Sequence, residues 1–191
     1  MLIGILALQG AFREHMKCLE KLGIDTRLIK SNEDMEGIDG LILPGGESTA
    51  MGKMLIDFKM KDFLSSKIKN GLPIWGTCAG MILLANTIDG SSDAHLRVMD
   101  IDVKRNAYGR QLGSFTTEKL VPEISDNPIP LVFIRAPYIN SIGTNVAVLC
   151  EIDGNTVAAR QYNMLVTSFH PELTEDLSFH RYFVKMIRQS V

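Results

Sequence analysis

Leu72-Pro73-Ile74-Trp75-Gly76-Thr77-Cys78-Ala79-Gly80-Met81-Ile82-Leu83-Leu84 is the stretch on which the reading of this chain turns. A short apolar run ends in Gly-Thr-Cys-Ala-Gly, and an apolar run of helical character follows. This is the pattern of a nucleophile elbow with cysteine in place of serine: a buried strand turns sharply into a helix, and the reactive side chain sits at the tip. The nucleophile's backbone is strained in such a turn, and side chains at Gly76 and Gly80 would collide with the neighbouring strand and helix. At a helix N-terminus the dipole and free N–H groups favour thiolate over thiol. The alternative is that Cys78 is a buried small hydrophobe, as most free cysteines are. The rest of the chain has to supply a base and an oxyanion site.

Upstream, Leu2-Ile3-Gly4-Ile5-Leu6-Ala7-Leu8 is a continuous apolar strand of the kind buried on both faces of a parallel sheet. Gln9-Gly10 is a turn, and Phe12, Met16, Leu19 and Leu22 carry helical spacing up to a C-cap at Gly23. Strands at residues 26–29 and 40–43 complete a βαβ unit, which predicts a parallel sheet with a right-handed crossover. Pro44-Gly45-Gly46-Glu47-Ser48 follows the third strand directly. Adjacent glycines at the C-terminal end of a parallel strand leave backbone N–H groups open to a ligand, at the sheet edge where open α/β proteins bind ligands. The alternative there is an ordinary strand-to-helix turn capped by Ser48. Helical segments fill residues 51–69, with Gly71 closing the last.

Downstream of Asn86 the pattern changes. A loop at residues 90–93 leads to strands at 98–103, 115–120 and 131–134 with no long helix between them, read as an antiparallel or mixed extension of the sheet. Asp153-Gly154-Asn155 between two apolar runs signals a hairpin. A strand at 164–169 ends at His170-Pro171-Glu172, and the last helix covers 176–189 with Leu177, Tyr182, Phe183, Met186 and Ile187 on its stripe. The expected fold is a three-layer α/β architecture, with a mostly parallel central sheet, helices on both faces and an antiparallel or mixed extension. Without repeat, low-complexity tract or linker, residues 1–191 read as one domain.

Of the four histidines, His15 and His180 lie in helical patterns among charged neighbours and read as surface residues; His95 falls in a loop. His170 ends an apolar strand, so its ring emerges at the same kind of edge as Cys78. Pro171 biases the residue before it to an extended conformation, in which residues two apart point the same way. Glu172 is therefore expected beside His170, holding one ring nitrogen while the other faces a thiol. Cys78, His170 and Glu172 then form an orienter–base–nucleophile triad. The competing reading of His-x-Glu alone is a surface ion pair.

The 191 residues are 46% hydrophobic and 22% charged, with a net charge of −2, which argues against disorder and against general attraction to nucleic acid or anionic membrane. Cys18, Cys78 and Cys150 are an odd set at wide spacings, against a disulfide framework or zinc site and for a reducing compartment. The apolar start lacks a basic lead and breaks at Gln9-Gly10, too early for a signal peptide, and no apolar run approaches the roughly 20 residues of a membrane span. The expectation is a cytoplasmic enzyme with no cofactor and no metal.

With these residues placed, a resemblance emerges. Gly76-Thr77-Cys78-Ala79-Gly80, Pro44-Gly45-Gly46 and His170-Pro171-Glu172, in this order, resemble the class I, triad-type glutamine amidotransferase domains, whose fold is flavodoxin-like. Leu8 to His15, Pro44 to Thr49, Arg105-Asn106-Ala107-Tyr108-Gly109-Arg110-Gln111, Phe133-Ile134-Arg135-Ala136-Pro137 and Phe169 to Thr174 look more narrowly like the glutaminase subunits of pyridoxal 5′-phosphate synthase. The two arginine blocks discriminate, since other amidotransferases share only the elbow and the His-x-Glu. Ala50 stands where a second threonine is common in that family.

The resemblance implies hydrolysis of L-glutamine to L-glutamate and ammonia through a γ-glutamyl thioester on Cys78. It implies an oxyanion hole from the backbone N–H groups of Gly46 and Ala79, and a glutamine site lined by Gly46, Glu47, Ser48, Arg105, Ile134 and Arg135. It further implies a hetero-oligomer with a separate (β/α)₈-barrel synthase subunit that takes the ammonia, and a glutaminase that stays poor until this partner completes the oxyanion site. Gln9-Gly10 is placed to sense that docking. Rival expectations are a glutaminase serving another synthase, a γ-glutamyl hydrolase, a cysteine peptidase or redox relative, and a non-catalytic module of the same fold.

Overall fold

The computed structural model describes residues 1–91, 94–105 and 113–190. The block from Asn106 to Gln111, and Ser92 and Asp93 of the expected loop, lie outside the described residues. In chain order the elements are β1 (Leu2–Leu6), α1 (Phe12–Lys21), β2 (Asp25–Ile29), β3 (Gly40–Leu43), α2 (Ser48–Asp57), α3 (Lys61–Lys69), β4 (Ile74–Thr77), α4 (Ala79–Leu84) and β5 (Ala85–Ile88). There follow β6 (Met99–Lys104), β7 (Ser114–Lys119), β8 (Ile129–Ile134), β9 (Tyr138–Ile142), β10 (Ala147–Ile152), β11 (Asn155–Gln161), β12 (Met164–Thr167) and α5 (Ser178–Gln189).

Among these residues ten strands form one sheet, ordered β2-β1-β3-β4-β12-β11-β9-β6-β5, with β10 paired to β11. The neighbours from β2 through β12 are all parallel, and antiparallel pairing begins where β12 meets β11. From β1 the chain steps to β2 on one side and to β3 and β4 on the other. The strand order therefore reverses between β1 and β3, and the crevice at that reversal is where open α/β sheets take ligands.

The period-two alternation of the strands sorts two cores. Ile3, Ile5, Ile42, Trp75 and Leu165 face one side and pack with Leu19 of α1 and Phe179, Phe183, Met186 and Ile187 of α5. Leu6, Leu41, Leu43, Ile74, Met164 and Val166 face the other, against α2, α3 and α4 through Met51, Leu55, Leu64, Ile68 and Leu83. Both faces are covered, so the inner strands β1, β3, β4 and β12 carry nearly unbroken apolar runs, as a buried parallel sheet requires, while the edge strand β2 keeps Asp25, Thr26 and Arg27. Each such buried side chain contributes about 1.5–3 kcal/mol over its exposed state.

Gly23 ends α1 at φ +67°, and its N–H donates to Glu20 O while the Ile24 N–H donates to Leu19 O, the paired bonds of a left-handed helix stop. The hairpin at Asp153-Gly154 forms as expected, with both residues at positive φ and β10 antiparallel to β11.

Three details differ from the sequence reading. The strands at 114–119 and 129–134 leave the central sheet and pair with each other as a separate two-stranded sheet. They pack as a flap, with Leu131 and Phe133 joining the core on the α1/α5 side. The sequence pattern predicts neither β5 nor β9. The N-cap of α2 is Glu47 rather than Ser48: the Glu47 carboxylate accepts from the Thr49 and Ala50 N–H groups at 3.0 and 2.7 Å. No helix among the described residues is long and apolar enough to cross a membrane.

Candidate active site

The C-terminal ends of β1, β3, β4 and β12 converge on a cavity of about 790 Å³, lined among others by Gln9, Gly46, Cys78, Arg105, Arg135 and His170. Every expected oxyanion and substrate residue, Gly46, Glu47, Ser48, Ala79, Arg105, Ile134 and Arg135, borders this one space. Glu172 sits behind it, with a side chain 0% exposed.

The elbow is built as its glycines imply. Cys78 adopts φ 48°, ψ −102°, a conformation costly for any residue with a Cβ. A Cβ at Gly76 would sit 2.5 Å from the Gly80 carbonyl group in α4, and one at Gly80 would sit 2.0 Å from the Leu43 oxygen in β3. The strand and helix touch through these two positions, and Cys78 is held at the apex. Its own N–H donates to Thr167 O of β12, which ties the elbow to the strand that leads to His170.

His170 reaches the site by a route different from the one its sequence suggests. The chain does not stay extended; residues Pro171–Leu173 form one 3-10 turn. That turn brings the Glu172 carboxylate back onto the ring, with His170 Nδ1 and Glu172 Oε1 2.7 Å apart. His170 is anchored from the flap, its N–H donating to Val132 O at 2.8 Å. With Nδ1 engaged, Nε2 is left to serve the hydrogen bond to Cys78. Gly45 makes room for the ring: a Cβ there would stand 2.3 Å from His170 Cε1.

Burial opposes a charged His170, but hydrogen bonds to Cys78 and Glu172, with their negative charges, outweigh it and push the ring up to about 10. Burial likewise opposes a charged Glu172, and the His15 and His170 rings overcome it and hold the carboxyl below its ordinary value. The arrangement favours an imidazolium beside the Glu172 carboxylate.

The expected substrate residues differ in their commitments. Glu47 is lowered by accepting the Ala50 and Thr49 N–H groups, and its own N–H donates to Gln9 Oε1 at 2.8 Å. Gln9 thus ties the end of β1 to the glycine loop after β3. Arg105 Nε donates to Asp89 Oδ2 at 3.0 Å, an exposed pair that fixes the direction of the guanidinium. Asp89 carries no sequence signal of this role. Arg135 has φ 44°, a strained value for arginine at the cavity wall. No group of three or more His, Cys, Asp or Glu side chains among the described residues is arranged to hold a metal ion.

His15 and His180 correct the sequence reading outright. Both are 0% exposed, packed behind Glu172 against the Trp75 ring. Their charged neighbours point outward, while the two rings point in. A signal existed: His15 lies three residues after Phe12 and four before Leu19, and His180 three after Leu177 and three before Phe183. Those are the apolar stripes of their helices.

The chain matches the SNO glutamine amidotransferase family over residues 5–189. It is 57% identical to pyridoxal 5′-phosphate synthase subunit PdxT of Clostridium botulinum over 183 residues, 95% of each chain. It is 57% identical to the protein of the same name from Ruminiclostridium cellulolyticum, over 97% of this chain and 98% of that one. A crystal structure of a glutamine amidotransferase superposes with a TM-score of 0.92 at 42% identity, covering 97% and 98% of the two chains. A putative GMP synthase subunit from Thermoplasma acidophilum, at 18% identity and TM-score 0.66 over 99% and 94% of the two chains, shares the fold. The chain belongs to the SNO glutamine amidotransferase family.

Proposed function

We propose that this protein hydrolyses L-glutamine to L-glutamate and ammonia, with Cys78 as nucleophile, and delivers the ammonia to a synthase subunit that makes pyridoxal 5′-phosphate. The observation that carries the reading is the convergence of the Cys78 elbow and His170, with Glu172 bonded behind the ring, on the cavity that Arg105 and Arg135 border. Cys78 Sγ attacks the side-chain amide carbon, and the carbonyl oxygen takes up negative charge. The N–H groups of Gly46 and Ala79 receive that charge; loss of one such donor costs about 10²–10³ in rate. His170 gives its proton to the amide nitrogen, the C–N bond breaks, and ammonia leaves a γ-glutamyl thioester. Water then attacks the thioester, His170 takes its proton, and glutamate departs with Cys78 restored.

The substrate's α-carboxylate suits Arg105 and Arg135, since guanidinium binds it through parallel hydrogen bonds. The partner is a separate chain, of (β/α)₈-barrel type by family likeness, assembled with this one in a hetero-oligomer. The reading is supported by relatives whose name is that of one subunit of a synthase. Gln9 holds the Glu47 N–H beside the oxyanion site, so a docking surface near the end of β1 would act on that loop directly. The test is glutamate release with and without the synthase subunit. The rate is expected to rise with the partner, and a rate indifferent to it would remove the coupling.

A further inference from the structure

Behind the site lies a buried polar chain that the reaction above does not use. His180 Nε2 and His15 Nδ1 are 3.0 Å apart, His15 Nε2 lies 3.2 Å from Thr77 Oγ1, and the same Nε2 is 3.4 Å from Glu172 Oε2. Both rings are fully buried, as is the Glu172 side chain. Glu172 Oε1 is taken by His170, but Oε2 has no hydrogen-bond partner among the described residues. A buried carboxylate oxygen without a donor is costly, and His15 is the donor within ionic range.

The partners of each ring assign its proton. If His15 carries its proton on Nε2, it can donate to Glu172 or Thr77, and its Nδ1 accepts from His180 Nε2–H. His180 Nδ1 is then a bare lone pair, and it is the second atom of this polar chain that is buried without a hydrogen-bond partner. The opposite assignment would bury an orphan N–H on His180 and aim a lone pair at a carboxylate, which is worse on both counts. One tautomer chain therefore fits all four groups, with both rings neutral. Burial, the largest influence on each, pushes the two histidines below their ordinary value.

We propose that His15 is a positioning residue for glutamine hydrolysis: its Nε2–H, with its tautomer fixed by His180, supports Glu172 Oε2 so that Oε1 holds His170 toward Cys78. This inference rests on the triad reading above. At 3.4 Å the contact is loose, and such bonds tighten when substrate is bound. Thr77 Oγ1 is the alternative acceptor at rest. The titratable groups around this chain are Glu172 and His170 from the segment after β12, His180 from α5, and Glu14 and Cys18 from α1. β4 contributes only Thr77 and Trp75. Burial holds both histidines below their ordinary value, so a shifted acid limb reports on Glu172 and its partners. Removing a donor from a carboxylate raises its pKa, so the acid limb of kcat/KM moves up.

The test uses the full chain with its synthase subunit. His15→Leu keeps bulk and deletes the donor; His15→Gln keeps an N–H at the distance of Nε2 from the backbone. The expected result for leucine is a kcat lower by about 10- to 100-fold, the worth of one hydrogen bond to a charged group. Its KM stays near wild type, its acid limb moves up, and glutamine restores most of the loss. A folded His15→Leu chain with wild-type kcat and acid limb overturns the inference, and so does a folded glutamine variant no better than leucine. If the leucine chain fails to fold, His180→Phe keeps a ring against Trp75 and deletes the donor to His15. The same upward move of the acid limb is expected there, and an unmoved limb overturns the inference. Cys78→Ala measured alongside separates the two claims: an inactive alanine variant beside an unaffected His15→Leu refutes the positioning role and leaves the triad standing.

Discussion

Replacing Gly45 by alanine should silence the site without unfolding the protein. The added Cβ would lie 2.3 Å from His170 Cε1, 2.9 Å from Nδ1 and 3.4 Å from Cys78 Cβ. Carbon atoms rest no closer than about 3.5 Å, so the ring must retreat by roughly 1 Å. It has little freedom to do so, because Nδ1 is 2.7 Å from Glu172 Oε1 and the backbone N–H is bonded to Val132 O. The retreat opens the contact with Cys78 or the one with Glu172. A misplacement of about 1 Å in a reacting constellation costs on the order of 10²-fold in rate. Gly45 does not lie among the glycines at positive φ, so alanine meets no backbone penalty there. The assay is initial glutamate release in the presence of the synthase subunit, with thermal unfolding as the control. A loss of about 10²-fold in kcat with a nearly unchanged Tm is expected. Wild-type turnover by a folded Gly45→Ala protein would refute the reasoning that packs His170 between Gly45 and Glu172.

Alkylation by iodoacetamide should label Cys78 and spare Cys18 and Cys150. Burial raises both spared thiols, Cys150 to about 11. The sign for His170 follows from its raised value: the imidazolium persists up to about 10, well above the ordinary value near 6.5. His170→Asn removes that cation from beside Cys78, so the Cys78 labelling rate at pH 7 should fall well below that of wild type. Equal labelling of the three cysteines, or the same Cys78 rate in both proteins, would count against His170 as the partner of Cys78. Glu47→Ala removes the cap of α2 and should lower Tm by about 2–4 °C, which calorimetry would detect. An unchanged Tm would mean the cap bonds contribute nothing.

The proposed catalytic constellation is more legible in the sequence than its surroundings. Gly76 and Gly80 announce the elbow because each is required by a backbone contact with a neighbouring element, Gly76 with α4 and Gly80 with β3. The sequence pairs His170 with Glu172 correctly, but on the wrong geometry. Pro171 opens a 3-10 turn instead of prolonging the strand, and a spacing of two brings side chains together in that turn as well. The buried histidines are hidden because charge in the neighbouring positions outweighs the stripe on which His15 and His180 lie. Propensity also does not assign strand partners. The flap of β7 and β8 alternates like any sheet strand, and it is tertiary packing, Phe133 against Phe169 among its contacts, that sets it apart from the central sheet. β5 begins with no intervening turn at the end of α4, so no punctuation marks it.

The claim at the centre is that Cys78 forms the bond to glutamine. The most direct measurement is glutamate release by Cys78→Ala beside wild type, with the synthase subunit present and folding confirmed for both. Release at the uncatalysed background by the alanine variant is the predicted result. Turnover approaching that of wild type would contradict the account.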